Sequence, residues 1–404
     1  MTSDPALLEL ADPSQLGLEL PDDLQEQAWQ QSQRLSAASD RWNAYINSLC
    51  LNAFLPWLQE QVPEATVWPG SRALASIWQF TTGTAITLSA SRVLPFVQAP
   101  SAHPSGERLV LIPSESIDMS ELRVPQEWVD IPEWAADYYL FCSVSPDDGW
   151  MQVRGYTTHH QLKTLGNYDA ADRTYSLDAD ALIADLNVLL IARQRCPEEV
   201  TRAAIAPLPV LPLAQAENLL QRLGNPSLAL PRLAVPFTLW GALIAHGGWR
   251  QRLHERRQGL QEQWSILQWL QAGVSELAEL SGWGRAELQA NPLGSRGAAQ
   301  ATPLTVLSRS LVIAGEPYEL SVLQGDSVQA WRFELRASSL GGRIPSGFKL
   351  RLLTEDLQGF ENNETTATKA VEQLYVEVAL EPGESLVWEV EPTPENYERE
   401  ILRF

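Results

Sequence analysis

A chain of 404 residues, 45% of them apolar and 15 of them Trp, carries enough hydrocarbon for about two or three domains and is no disordered polymer. Fifty acidic residues against 29 basic ones leave a formal charge of -21, which argues against a general nucleic-acid binder and against anionic lipid as a partner. Cys50, Cys142 and Cys196 are too few and too scattered for a disulfide framework or a zinc site, and the first two, set among apolar neighbours, read as buried thiols of a reducing cytosol.

Met1 to Leu20 holds Asp4, Glu9, Asp12 and Glu19 and no basic residue, so it lacks the positive start of a secretory signal. Residues 21–62 predict helix. Trp42, Tyr45, Ile46, Leu49, Cys50, Ala53, Phe54, Trp57 and Leu58 form a wide apolar stripe, with Ser39 or Asp40 as a cap. Pro56 falls inside the pattern and is expected to kink or restart the helix. From Thr66 the period shortens. Strands are predicted at Ile77–Phe80, Ala85–Leu88, Leu109–Ile112, Tyr138–Val144 and Trp150–Tyr156. The last two flank Ser145-Pro146-Asp147-Asp148-Gly149, whose Pro, Asp and Gly each favour a turn, so they form a hairpin. Asp178–Arg195 predicts a helix, acidic at its start and basic at its end. Residues 21–196 therefore read as one α+β domain with a curled antiparallel sheet.

Six prolines mark 197–232 as a semi-rigid connector, interrupted by a short helix at Leu213–Leu223. Residues 233–290 predict a helical region, broken near Gly247-Gly248. Its most apolar run, Leu233–Ala245, is too short to span a bilayer. Asn291–Thr302 reads as a flexible linker. Residues 302–404 then alternate with period two. Trp331, Phe333 and Leu335 fall on one face and Arg332, Glu334 and Arg336 on the other, and Leu374, Val376, Leu386, Trp388 and Val390 repeat the pattern. The expected architecture is α+β multidomain, ending in an immunoglobulin-like β-sandwich. The tail from Thr354 holds 13 acidic and three basic residues, either as hydrated strand faces or as a docking face for a basic partner.

Three constellations invite chemistry. In Tyr156–Arg173, His159 could act as a general base oriented by Asp169 or Asp172. Against this, no nucleophile has a recognisable setting, and adjacent His159 and His160 point apart on any regular element. Asp169–Arg173 also reads as a turn with a local ion pair ahead of the helix, in a segment that contacts a partner. Glu127, Asp130, Glu133 and Asp137 could ligate a hard cation, but Pro125 and Pro132 interrupt them and Trp128 and Trp134 suggest an anchored loop. Arg250, Arg252, His254, Arg256 and Arg257 form a basic helix patch, suited to nucleic acid or, given the overall charge, to an acidic protein surface, this chain's own C-terminal region included. Phosphate-binding glycine loops and His-Glu-x-x-His are absent. No catalytic residue, metal or cofactor is assigned.

Several runs resemble a cyanobacterial family, domain-of-unknown-function family 1822. They are RWNAYINSLCLNAFLPWL from Arg41, VPQEWVDIPEWAADYYLF from Val124, and the stretch from Asp147 through YTTHHQLKTLGNYDAADRTYSLDADALIADLNVLLIAR. FKLRLLTED from Phe348 and LEPGESLVWEVEP near the end are similar too. The likeness covers most of the chain apart from the first twenty residues and the linkers, and its motifs are those of packing and turns. Members are encoded near genes for alternative sigma factors and for sensor or caspase-like signalling proteins, so the resemblance implies a regulatory or scaffold role. The expectation is a cytoplasmic, non-enzymatic protein that meets an unidentified protein partner, with no membrane or nucleic acid; the alternative is a small-ligand binder or hydrolase using Tyr156–Arg173.

Overall fold

The apolar stripe and the alternating runs build two units, residues 1–209 with 222–245 and residues 210–221 with 246–404. The structure, a computed structural model, describes residues 15–70, 73–88, 106–115, 119–196, 198–260, 263–288, 304–325, 327, 329–395 and 397–404. The expected 291–302 linker lies outside the described residues, as do the first fourteen positions.

The first unit runs β1 (Leu16–Glu19), α1 (Asp22–Ser32), α2 (Ala38–Gln61), β2 (Thr66–Trp68), α3 (Leu74–Trp78), β3 (Thr84–Leu88) and β4 (Glu107–Ser114). It continues with β5 (Glu121–Pro125), α4 (Gln126–Asp130), β6 (Tyr138–Ser145), β7 (Trp150–Thr158), α5 (His159–Leu165), β8 (Asn167–Asp169), β9 (Thr174–Asp178) and α6 (Leu186–Arg195). Helix α7 (Leu213–Leu223) belongs to the second unit up to Gln221, and α8 (Phe237–Ala245) completes the first. A six-stranded sheet has the order β1-β7-β6-β4-β3-β2, and a small sheet the order β5-β9-β8. Leu49, Cys50, Phe54 and Leu58 are buried on α2, which packs on β4 and β6. Side chains of this size each contribute about 1.5–3 kcal/mol when removed from water.

Four expectations need correction here. Ile77–Phe80 is not a strand, because Leu74–Trp78 forms α3; a short, wholly buried apolar run has no period to separate helix from strand. Asn43 donates its side-chain amide to the carbonyls of Trp78 and Thr81, just beyond that helix. The large sheet is mixed: β4 and β6 run parallel, from Leu109↔Tyr138 to Ser114↔Ser143. Their connection is long enough for the crossover that parallel strands require, and it carries β5 and α4. The helix expected from Asp178 starts at Leu186, capped by Asp185, whose carboxylate accepts the Asn187 N–H at 2.9 Å. Finally, α2 begins at Ala38 without a side-chain cap and runs through Pro56 without ending, held by Leu51, Phe54 and Leu58 on either side of it.

The second unit holds α9 (Gly247–Gln258), α10 (Ile266–Ala272), α11 (Glu276–Leu280) and β10 (Trp283–Leu288). Then follow β11 (Leu304–Ile313), β12 (Glu316–Gln324), β13 (Ala330–Ala337), β14 (Lys349–Thr354), β15 (Glu364–Thr366), β16 (Gln373–Ala379), β17 (Ser385–Glu391) and β18 (Ile401–Arg403). The helical region thus ends earlier than its pattern suggested. Gly282, at φ +89°, turns the chain after α11, and Trp283–Leu288 pairs as a strand with β11. Two antiparallel sheets, β10-β11-β12-β13-β16 and β15-β14-β17-β18, supply one apolar core. Trp331, Phe333, Leu335, Leu374, Val376, Leu386, Trp388 and Val390 all lie in it, as alternation required. The helical region breaks where expected, at His246 between α8 and α9, and Gly247 and Gly248 form the first turn of α9. A Cβ on Gly247 would fall 2.9 Å from the Arg399 carbonyl oxygen, and one on Gly248 would fall 2.5 Å from Ile401, so the close approach needs both glycines.

Candidate functional site

Tyr156–Arg173 is no loop: it is the end of β7, then α5, then β8 and a turn. Thr158 caps α5 in a full capping box with Gln161. That geometry sends His159 inward, fully buried, while His160 stays exposed. His159 Nδ1 accepts the Ala203 N–H at 3.0 Å, and Nε2 lies 2.9 Å from the Val129 carbonyl, to which it donates. Both ring nitrogens are therefore engaged in the neutral form. Burial holds its pKa below the ordinary value, the Val129 carbonyl opposing and Lys163 and Arg202 adding to the depression.

Asp169 and Asp172 do not orient that ring. They take Arg123 at 3.2 and 3.0 Å on an exposed face shared with Glu121. Arg173 is not their ion-pair partner either, and the turn it closes leads into β9 rather than a helix. Held at φ +55°, Arg173 donates its guanidinium to the carbonyls of Arg232 and Val235. Arg232 returns the contact by donating to the Asp172 carbonyl at 2.6 Å and the Arg173 carbonyl at 3.2 Å. His159, Asp169 and Arg173 thus serve three different sets of partners.

The four spaced carboxylates have separate fates. Glu127 is wholly buried and accepts Arg232 at 2.9 and 2.7 Å and the Trp240 indole N–H at 2.8 Å. Asp137 takes a bidentate Arg202 at 2.9 and 2.7 Å and the Thr201 hydroxyl at 2.8 Å. Asp130 accepts Lys163 and the Tyr175 hydroxyl, each at 2.8 Å. Burial alone would lower the Lys163 pKa, but its bonds to Asp130 and Tyr175 win and raise it. Glu133 is exposed. Trp128 and Trp134 are buried beside Trp68 and anchor the segment, Trp128 donating to the Thr82 carbonyl at 2.7 Å. Among the described residues, no group of three or more His, Cys, Asp and Glu is placed to hold a metal ion.

In the second unit the basic patch of α9 turns mostly inward. Arg250 and Arg257 are buried and Arg252 is largely so, leaving Arg256 exposed. Arg250 pairs with Glu398 and Arg252 with Glu355. Glu355 also accepts the Trp249 indole at 3.0 Å, and Glu255 accepts that of Trp264 at 3.0 Å. Glu400 accepts Trp283 at 3.0 Å and Trp388 at 3.3 Å and pairs with Arg309. A pattern repeats across both units: buried Glu127, Glu255, Glu355 and Glu400 each accept an indole N–H, and Glu127, Glu355 and Glu400 pair with a guanidinium, as buried Glu334 does with Arg332 and Arg336. Desolvated carboxylates persist only when satisfied in this way. His246 and His254 are buried too, with pKa values pushed down to about 3 and about 4, by burial first and then by neighbouring arginines.

The acidic tail is answered in part by the chain itself. Glu355, Glu377, Glu389, Glu391, Glu398 and Glu400 each meet an Arg. The sequence named the acidic C-terminal region as one candidate partner of the α9 arginines, which Glu398 and Glu355 supply, but it did not single out Arg202, Arg232, Arg309, Glu355 or Glu400. Nothing in local spacing could have found them, since Arg232 lies 105 residues from Glu127 and Glu398 lies 148 from Arg250. An open depression of about 610 Å³, lined by Arg195, Cys196, Glu198 and Glu199, contains none of the candidate site residues.

These features define an α+β protein whose buried titratable side chains serve mainly to join one segment to another. The chain belongs to the family described as protein of unknown function (DUF1822), whose model matches residues 18–403. No curated protein and no solved structure matches it. Among the described residues, no helix is long and apolar enough to cross a membrane.

Proposed function

We propose that this chain is a non-enzymatic, cytoplasmic interaction protein, a regulatory or scaffold component of cyanobacterial signalling or sigma-factor-linked transcription control. One observation carries the reading: His159, the best-placed base in the sequence, has both ring nitrogens bonded to backbone groups of its own chain. A general base needs a free lone pair within reach of a substrate proton, and this one has none to offer. The C-terminal strands fit the role as an immunoglobulin-like sandwich, a scaffold that presents surfaces. The test is affinity capture of the full chain from native cyanobacterial lysate at mild salt. A stoichiometric protein partner is expected; recovery of none contradicts the proposal.

A further inference from the structure

Complete burial of a large apolar side chain is worth about 1.5–3 kcal/mol, so an indole left half exposed forgoes a sizeable part of that. Trp29 on α1 and Trp42 on α2 are both 45% exposed. They are not scattered. Each indole packs on the ring of Tyr45, at centroid distances of 5.5 and 5.3 Å, and Tyr45 is itself buried. The two helices thus hold a pair of indoles over one aromatic floor. Their polar needs are partly met already: the Trp42 N–H donates to Glu115 at 2.6 Å, and the Tyr45 hydroxyl donates to Gln25 at 3.3 Å. What remains available is the indole surface, whose face carries negative quadrupole density.

The surroundings carry the same sign. Helix α1 reads DDLQEQAWQQS, with three acids and no base, and Glu26 stands one turn before Trp29. Glu115 borders Trp42, and Asp147 and Glu115 both act on Tyr45, raising its pKa after burial has done so first. Of the nearby arginines, Arg41 is spent on the carbonyls of Leu35 and Ser36, and Arg34 lies beyond the end of α1. Exposed π faces rimmed by carboxylates suit one kind of guest, a cation with an aliphatic stem.

The geometry points to Trp29 and Trp42, over Tyr45 and flanked by Glu26, Glu115 and Asp147, as the docking surface for an arginine- or lysine-bearing segment of a partner protein. The inference rests on the interaction reading above and names where the partner sits and what it brings. Charge draws the segment in and the indoles seat its side chains, so binding needs both groups.

The experiment uses the full chain labelled with 5-fluorotryptophan and a capped tetra-arginine peptide, with capped tetra-glutamate as control. Fluorine NMR lines of Trp29 and Trp42 are assigned through Trp29→Phe and Trp42→Phe. On tetra-arginine these two lines shift together and saturate while the other 13 stay in place; tetra-glutamate moves none. Trp29→Leu with Trp42→Leu weakens binding about tenfold (~1.4 kcal/mol). Glu26→Gln with Glu115→Gln, both exposed and safe for folding, weakens it by a similar factor. Shifts spread over many lines, or affinity unchanged in either double variant, overturn the inference. So does a lysate partner retained equally by the Trp29→Leu/Trp42→Leu chain, a result that leaves the interaction reading standing.

Discussion

Replacing Glu127 by Ala removes the acceptor of three hydrogen bonds at a fully buried position. Arg232, only 15% exposed in its side chain, then keeps its charge without a counter-ion, and the Trp240 indole N–H loses its acceptor. Stranding one partner of a buried pair costs about 3–5 kcal/mol. With a urea dependence of about 3 kcal/mol/M, the unfolding midpoint of the first unit should fall by about 1–1.7 M. Arg232→Met should cost a similar amount, since it strands the carboxylate. The combination Glu127→Ala with Arg232→Met removes both charges and strands only the indole and two carbonyls, so it should cost less than the sum of the singles by about 2–3 kcal/mol. The assay is urea denaturation followed by circular dichroism, closed into a double-mutant cycle. A loss below about 1 kcal/mol for Glu127→Ala, or strict additivity in the cycle, would show that the carboxylate is not what holds Arg232.

Three further outcomes follow from the same structure. His246 and His254 titrate near pH 6.5 when unfolded but only near 3 and 4 when folded. Their contribution is therefore complete above pH 6.5 and is lost as pH falls toward 4, by about 1.4 kcal/mol per pH unit for each; His246→Asn keeps a helix cap and should remove one such share of the slope, read from denaturation at pH 4.5–6.5. Gly247→Ala drives a Cβ against the Arg399 carbonyl oxygen and should lower the stability of the second unit by about 1–3 kcal/mol, measured by thermal unfolding. Glu400→Gln leaves Arg309 without its anion among Trp283 and Trp388, and should cost about 2–4 kcal/mol with a change in tryptophan emission; an unaltered midpoint would remove Glu400 from the core's charge balance.

Elements with a period were legible. Alternation around Trp331, Leu374 and Trp388 became strands of one core, and the stripe from Trp42 to Leu58 became the central helix. The hairpin at Ser145–Gly149 followed from turn chemistry alone. Where every residue is buried the signal vanishes, which is why Ile77–Phe80 passed for a strand, whereas β10, with Trp283 buried and Arg285 exposed, is a short strand at the end of a helical run. Long-range charge pairing was the least visible layer. His159 looks the same in sequence whether its ring faces a substrate or the Val129 carbonyl, and Arg250 looks solvated until Glu398 is brought to it. The exposure of Trp42 was hidden too, since the stripe that predicted its helix counted it as interior.

If the buried ionisable groups serve the fold, the ring of His159 must stay neutral and fully bonded within its own chain. Nitrogen-15 NMR of the histidine-labelled full chain, with the His159 signal assigned through His159→Gln, gives the tautomer and the titration of that ring together. The predicted result is a neutral ring, protonated on Nε2, with a pKa held below the ordinary histidine value by burial. A His159 that titrates with a pKa near 6.5 or above would have a nitrogen open to solvent or substrate, which contradicts that role.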